Sequence, residues 1–97
     1  MAQLQIQSPV ARTVEHSVKP AARLRDLRGA TVGLYWNMKA GGDAALDRTE
    51  ALLSARFPGI TFRRYTGSVG WLMRHCTAED ADRIASEVDA VVGTTAD

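Results

Sequence analysis

The stretch that decides the fold runs from residue 30 to residue 65 and reads ATVGLYWNMKAGGDAALDRTEALLSARFPGITFRRY. Its first seven residues, 30–36, are mostly apolar and rich in β-branched and aromatic side chains, which is typical of a central parallel strand. Residues 43–57 carry apolar side chains at helical spacing, with Asp43 as the expected N-cap and a Pro-Gly pair after the last turn. Residues 60–65 alternate only in part, as an edge strand does. This order predicts a right-handed βαβ unit.

The second half of the chain predicts one more helix and one more strand. Residues 66–76 are typical of a loop because they contain two glycines. Three large apolar side chains in this loop need a surface on which to pack: Trp71, Leu72 and Met73. Thr77 and Asp80 fit a capping box that opens an amphipathic helix, and residues 89–93, DAVVG, form the third strand. The fold class is therefore α/β, a three-stranded parallel β-α-β-α-β half-sheet of the flavodoxin-like or Rossmann-like kind, in the order 2-1-3.

This half-sheet is incomplete by itself. Strand 3 lies at an edge in the order 2-1-3, and it is apolar, with no following helix to cover it. We therefore expect that either more sequence follows Asp97 or a second polypeptide completes the sheet. Residues 1–28 lack sustained periodicity and contain two prolines, and they predict an N-terminal arm that lies over the domain formed by residues 29–97.

Composition limits the classes of function. The chain has 97 residues, of which 45% are apolar and 24% are charged, and this is typical of one small globular domain. Its net charge of +1 provides no general attraction for nucleic acid. A single cysteine, Cys76, leaves no internal disulfide and no all-cysteine metal site. No apolar run has the length of a membrane span or of a signal peptide, so we expect a cytoplasmic protein without a membrane partner.

The candidate site lies where ligands bind in open α/β sheets, beyond the carboxyl ends of strands 1 and 3. The loop NMKAGGD has a lysine, two glycines that permit close backbone approach, and the first amides of a helix, which together favour a carboxylate or a phosphate. The candidate substrate-binding residues are Trp36, Asn37, Lys39, Gly41, Gly42, Thr94 and Asp97. The alternative interpretation is an ordinary βα turn with a solvated lysine, in which Asp43 as N-cap competes for the same amides.

Other reactive side chains carry weaker signals. His75 and Cys76 are adjacent, but neighbours in sequence seldom face one another, and a lone cysteine is usually a small buried hydrophobe. Neither a Ser/His/Asp arrangement nor a metal-ligand spacing is present, so the sequence assigns no catalytic residue, metal ligand or cofactor.

Three segments of the chain resemble the UGSC-motif family, named for a selenocysteine-Gly-Ser-Cys motif that most members carry as Cys-Gly-Ser-Cys. They are LQIQSPVART near the start, GLYWNMKAGGD with the helix after it, and EVDAVVGTTAD. In the family, the thiol motif would follow almost directly after the position of Asp97, and this sequence does not contain it. The resemblance carries over by position the residues of the first loop and those beside the motif: Asn37, Lys39, Gly41, Gly42, Asp43 and residues 94–97.

The resemblance implies a thiol-dependent enzyme of the lyase, hydrolase or reductase class, in which this chain is one subunit of a small hetero-oligomer. A partner chain would carry the rest of the α/β sheet and a Cys-Gly-Ser-Cys-type motif, and Lys39 and Asn37 would orient a small anionic substrate. Two alternatives stay open. One is a non-catalytic assembly or regulatory subunit, anchored by the loop that contains Trp71. The other is a subunit of a metal-centred hydratase whose metal is bound mainly by the partner.

Overall fold

The structure is a computed structural model, and it describes residues 3–71 and 74–95. The elements, in chain order, are β1 (Thr31–Trp36), α1 (Gly42–Arg56), β2 (Thr61–Tyr65), α2 (Ala78–Glu87) and β3 (Ala90–Thr94). The strands are parallel and stand in the order β2-β1-β3. The three-stranded parallel α/β half-sheet predicted from the sequence is therefore confirmed.

The first face of the sheet is packed against α1. Val32 and Leu34 of β1 and Leu46 of α1 are almost completely buried. Further apolar side chains surround these three and are partly buried: Leu27, Trp36, Ile60, Phe62 and Val92. Toward β2, the Arg64 guanidinium lies 2.8 Å from the Glu50 carboxylate of α1. This face thus has an apolar centre with a charged border.

The start of α1 differs from the sequence prediction. Asp43 is expected as the N-cap, but the N-cap is Gly41, and Asp43 lies in the first turn of the helix. Gly41 has left-handed backbone angles (φ 91°), which residues with a side chain rarely adopt, so glycine fixes where the helix begins. No side chain caps α1, and the Ala45 N–H donates to the Gly41 carbonyl at 3.0 Å. The prediction of Asp43 as the cap is therefore wrong.

The second face of the sheet is covered by α2 over β1 and β2. The capping box predicted for this helix is present, because the Thr77 hydroxyl accepts from the Asp80 N–H and the Asp80 carboxylate accepts from the Thr77 N–H, each at 3.0 Å. Ile84 is buried, and the Tyr65 hydroxyl donates to the Glu87 carboxylate at 2.8 Å. The capping box therefore fixes the start of α2, and the bond from Tyr65 to Glu87 attaches the end of the helix to β2.

The part of the second face that belongs to β3 is uncovered within residues 3–71 and 74–95. Val91 is 50% exposed, and a Cβ added at Gly93 would meet no atom within 4 Å. Ala81 and Ala85 of α2 are exposed. A pocket of about 280 Å³ lies here, lined by Ala21, Ala85, Val88, Asp89, Ala90 and Val91. We name this surface the open face and define it by Ala81, Ala85, Val88, Val91 and Gly93.

Residues 3–26 form an arm without helix or strand, and all of them are exposed. The sequence predicts an arm lying over the domain, but the molecule measures 76 × 31 × 23 Å and the arm is not packed over the core. The core under α1 is already filled by the strands and the helix themselves. The arm meets the body at Ala21, which lines the pocket of the open face, and Leu27 then packs against the core.

Three residues that entered the sequence predictions, Leu72, Met73 and Asp97, lie outside the described residues. Trp71, in the same loop as the first two, is 88% exposed. No helix in the described ranges is long and apolar enough to cross a membrane.

Candidate functional site

The ends of β1 and β3 lie side by side at one edge of the sheet. Trp36, the last residue of β1, is in register with Thr94, the last residue of β3. The loop formed by residues 37–41 leaves β1 here and leads into α1. Since the strands are parallel, this is the edge at which open α/β sheets bind ligands. We name this loop, together with Trp36, Gly42, Thr94 and Thr95, the carboxyl-edge site.

Asn37 ties the two strand ends together. Its side-chain amide donates to the Thr95 carbonyl, 58 residues away in sequence, and its side-chain oxygen accepts from the Lys39 N–H at 3.1 Å. The second bond closes an Asx turn around Met38, whose left-handed backbone (φ 68°) few non-glycine residues adopt. The Asn37 side chain therefore acts as a positioning group that fixes Lys39 relative to the end of β3.

Trp36 packs across the start of α1. Its indole N–H donates to the Lys39 carbonyl at 2.8 Å. A Cβ added at Gly42 would lie 2.9 Å from Trp36 Cδ1, closer than real Cβ contacts, so glycine is what lets the ring lie against the helix. The Thr94 hydroxyl donates to the Gly42 carbonyl at 2.8 Å and attaches the end of β3 to the same turn. These three side-chain positions thus hold the site together.

The groups at this edge favour a small anion. Lys39 is half-buried in the loop before α1. Helix α1 has 15 residues and no side-chain cap. The Gly42 N–H donates to the Lys39 carbonyl at 3.2 Å, and the amides after it and the positive end of the helix dipole lie at the carboxyl edge. The Asp43 carboxylate in the first turn offsets part of that charge. A carboxylate or a phosphate of small size suits these groups better than a neutral ligand.

A second polar cluster lies where the loop after β2 leads into α2. The Asp80 carboxylate is 5% exposed, and it accepts from the Ser68 N–H at 3.0 Å and the Ser68 hydroxyl at 2.7 Å in addition to the Thr77 N–H. Hydrogen bonds, first from the Thr77 amide and then from the Ser68 hydroxyl, hold the pKa of Asp80 well below its usual range. Asp80 is therefore a charged anchor for this loop and not a proton-transfer group at neutral pH.

Tyr35 and Cys76 adjoin this second cluster. Burial raises the pKa of the Tyr35 hydroxyl, and the nearby Cys76 thiol and Asp80 carboxylate raise it further. The Cys76 side chain is exposed, and its thiol donates to the Thr77 carbonyl at 3.6 Å. Tyr35 therefore stays protonated at neutral pH, where it can donate a hydrogen bond but cannot act as a base.

All the candidate substrate-binding residues that lie in the described part of the chain belong to the carboxyl-edge site: Trp36, Asn37, Lys39, Gly41, Gly42 and Thr94. Asp97 lies outside it. Thr95 belongs to residues 94–97, which the family resemblance already included, but the role of its backbone carbonyl was not predicted, because a carbonyl leaves no residue-type signal. Sequence reasoning missed Ser68, which lies 12 residues from its partner Asp80. The capping box that contains Asp80 is the signal that points to this second cluster.

Neither cluster has the composition of a metal centre. Among residues 3–71 and 74–95, no group of three or more His, Cys, Asp or Glu side chains is placed to hold a metal ion. The metal-centred hydratase alternative therefore gains no ligand set from this part of the chain.

Comparison with known proteins adds the family. The model of the UGSC family matches residues 5–97, which include the carboxyl-edge site, the open face and most of the arm. No curated protein and no solved structure matches the chain. On the strength of a match over nearly all of its residues, the chain belongs to the UGSC family.

Proposed function

We propose that this chain is one subunit of a small hetero-oligomeric enzyme, in which a cysteine of a partner chain reacts with a small anionic substrate held at the carboxyl-edge site. The reaction is of the lyase, hydrolase or reductase class. This chain supplies positive charge and substrate orientation, and the partner supplies the thiolate and the rest of the sheet. The complex works in the cytoplasm, where thiols are kept reduced.

The observation that carries the proposal is the link between the β1 loop and the end of β3. Asn37 bonds to Thr95 and to Lys39 at the same time. Polypeptide that continues from the end of β3, or pairs with it, is thereby delivered next to Lys39 and the first turn of α1. A thiol at that place has a cation and a helix N-terminus nearby, and both lower a thiol pKa and favour the thiolate.

Membership of the UGSC family supports a thiol as the reactive group. The family is named for a selenocysteine or cysteine followed by Gly-Ser-Cys, and this sequence contains no such motif. Its own thiol, Cys76, lies beside Tyr35 and the start of α2, on the other face from Trp36 and α1. Cys76 therefore does not adjoin the carboxyl-edge site, and the proposal places the reactive thiol on the partner.

The test is the reactivity of the partner's cysteines in the native complex. The tagged chain is purified with its partner, and the rate of alkylation by iodoacetamide is measured across pH. We expect Lys39→Gln to raise the thiol pKa and slow alkylation at neutral pH by about two- to tenfold while the complex stays intact. Arg48→Gln is the matched control, because it removes the same charge from an exposed position on α1, and it leaves the rate unchanged.

Two results would overturn this proposal. The first is a native complex in which no partner cysteine alkylates faster than a free thiol at neutral pH. The second is a Lys39→Gln complex whose alkylation profile equals that of Arg48→Gln.

A second candidate function is that of a non-catalytic assembly or regulatory subunit. The observation that favours it is Trp71, which is 88% exposed in the loop between β2 and α2. Large aromatic side chains in such positions are common anchors of protein interfaces. If the partner's thiols react equally fast with and without this chain, and Trp71→Ala disrupts the complex, the chain is an assembly subunit.

A further inference from the structure

In the described part of the chain, residues 3–20 of the arm and most of the open face expose apolar side chains that no other segment covers. Five large side chains of the arm are 71–91% exposed: Leu4, Ile6, Val10, Val14 and Val18. We propose that the arm of one copy docks on the open face of a second copy, so that two chains exchange arms. This inference goes beyond the proposed function, because it concerns contacts between copies of this chain and not the thiol partner.

The arm carries the signals of a helix that forms on docking, over residues 8–19. The Ser8 hydroxyl accepts from the Val10 N–H at 3.4 Å, as an N-cap does, and Pro9 stands where proline suits the first turn of a helix. One side of such a helix carries three valines spaced four residues apart: Val10, Val14 and Val18. Alone, a segment of about a dozen residues with several β-branched side chains does not stay helical in water. Docking therefore supplies the apolar contacts that this helix needs to be stable.

The open face lacks the kind of cover that this helix provides. Strands of parallel sheets are normally buried on both faces by helices. Val91 is nevertheless half exposed, and Ala85 beside it on α2 is exposed. The small side chain of Ala85 and the space above Gly93 allow a helix to approach closely. A valine stripe from the arm fits this surface in size and polarity.

Charge also matches the arm to the body. Residues 1–28 contain five basic and two acidic residues, whereas residues 29–97 contain seven basic and nine acidic ones. One of the acidic side chains, Asp89, lines the pocket of the open face. Opposite net charges favour the encounter of a basic arm with an acidic body.

The direction of the arm points to a second copy as the source of the docked segment. Ala21 already forms one wall of the pocket on its own open face. Residues 3–20 lie beyond it, exposed, in a molecule 76 Å long and 31 Å by 23 Å across. The valines are thus presented to a neighbour. When the exchange is mutual, two arms cover two open faces and the dimer is closed.

The mass of the purified full chain in solution tests the proposal, by light scattering over a dilution series from about 1 mM to about 1 µM. We expect twice the chain mass of 10.5 kDa at high concentration, with helical circular dichroism that falls as the dimer dissociates. Val14→Asp weakens the dimer by at least about tenfold in Kd. His16→Asp, which places the same charge on the opposite side of the helix, leaves the dimer unchanged.

A mixing experiment then distinguishes arm exchange from other dimers. Val91→Asp damages the open face but not the arm, and Val14→Asp damages the arm but not the face. Each variant alone is expected to be monomeric, and their mixture to form a heterodimer through the one intact pair of arm and face. A wild-type chain that is monomeric at every concentration, a Val14→Asp chain that still dimerises like wild type, or a mixture that stays monomeric overturns the proposal.

Discussion

The two faces of the sheet are attached to their helices by different kinds of contact. Under α1 the contact is apolar, with Leu34 and Leu46 completely buried. Under α2 it is largely polar, with Asp80 holding the loop before the helix and Glu87 accepting from Tyr65 near the helix end. The first face is a fully packed apolar core. The second face is only partly covered, and the open face lies beside the covered part.

The difference follows from the side chains that each helix brings to the sheet. Helix α1 contributes Leu46, which is completely buried, whereas α2 buries Ile84 and leaves its alanines Ala81 and Ala85 exposed. Hydrogen bonds to the carboxylates of Asp80 and Glu87 therefore contribute strongly to holding α2 in place. The second face is thus where stability depends on pH and where further protein can still be added.

The largest effect on stability is expected from Leu46→Ala, which opens a cavity in the packed core between the sheet and α1. The side chain is completely buried, so we expect a loss of about 2–5 kcal/mol in the free energy of unfolding. Leu52→Ala is the control, because Leu52 lies on the same helix and is largely exposed; it should lose well under about 1 kcal/mol. Urea denaturation measures both. Equal losses in the two variants would show that the first face is not a tight core.

Asp80→Asn comes next and tests the polar attachment of α2. The bonds from Thr77 and Ser68 all end on one carboxylate oxygen, Oδ2, and an uncharged amide oxygen accepts them more weakly, so we expect a loss of about 1–3 kcal/mol in the free energy of unfolding. Asp82→Asn removes the same charge from an exposed position on the same helix and should change stability by less than about 0.5 kcal/mol. If Asp80→Asn loses no more stability than Asp82→Asn, the polar attachment of α2 is contradicted.

Paired Gly→Ala substitutions compare the faces at the level of one methyl group. Gly42→Ala brings a Cβ to 2.9 Å from the Trp36 ring, and we expect a loss of about 1–2 kcal/mol together with a shift of tryptophan fluorescence. Gly93→Ala adds the same methyl group over the open face, where no atom of residues 3–71 and 74–95 lies within 4 Å, and should be neutral or slightly stabilising. A fluorescence shift in Gly93→Ala but not in Gly42→Ala would reverse this assignment.

The smallest effect is the pH dependence that Asp80 gives to the second face. Its pKa in the folded chain lies below the unfolded value of about 3.9, so the unfolded chain takes up the proton first as the pH falls. The stabilisation is complete above about pH 5 and is lost progressively below about pH 4. The stability gap between wild type and Asp80→Asn should therefore be constant near neutrality and narrow in acid. A gap that widens in acid would contradict the role of Asp80.

Much of the fold can be predicted from the sequence because its signals are local. The apolar run of β1, the helical spacing in α1 and the Thr77–Asp80 capping box each act over a few residues. The start of α1 could not be assigned correctly, because Asp43 has the right chemistry for a cap while the backbone angles of Gly41 decide the geometry. The capping preference of side chains favours Asp43, but the backbone conformation makes Gly41 the N-cap.

The position of the candidate site can be predicted from the sequence, but the hydrogen bonds that hold it together cannot. The position of Lys39 and the two glycines follows from the rule that ligands bind at the carboxyl ends of parallel strands. The bond from Asn37 to Thr95 depends on how β3 docks, and no short-range pattern encodes it. The sequence also favoured packing of the arm over the body, since it does not reveal that the core is already filled.

The bond from Asn37 to Thr95 also determines when the site comes into being during folding. It joins residues 58 positions apart, so the chain between them must be closed into a long loop before the bond can form. Closing that loop costs somewhat more entropy than forming the contacts inside β1, α1 and β2, so we expect β3 to dock after these three elements have come together. The carboxyl-edge site is therefore complete only when all three strands of the sheet have assembled. A chain in which β3 is undocked can keep the bonds of Asn37 and Trp36 to Lys39, but it lacks the bond that fixes this turn to the end of β3.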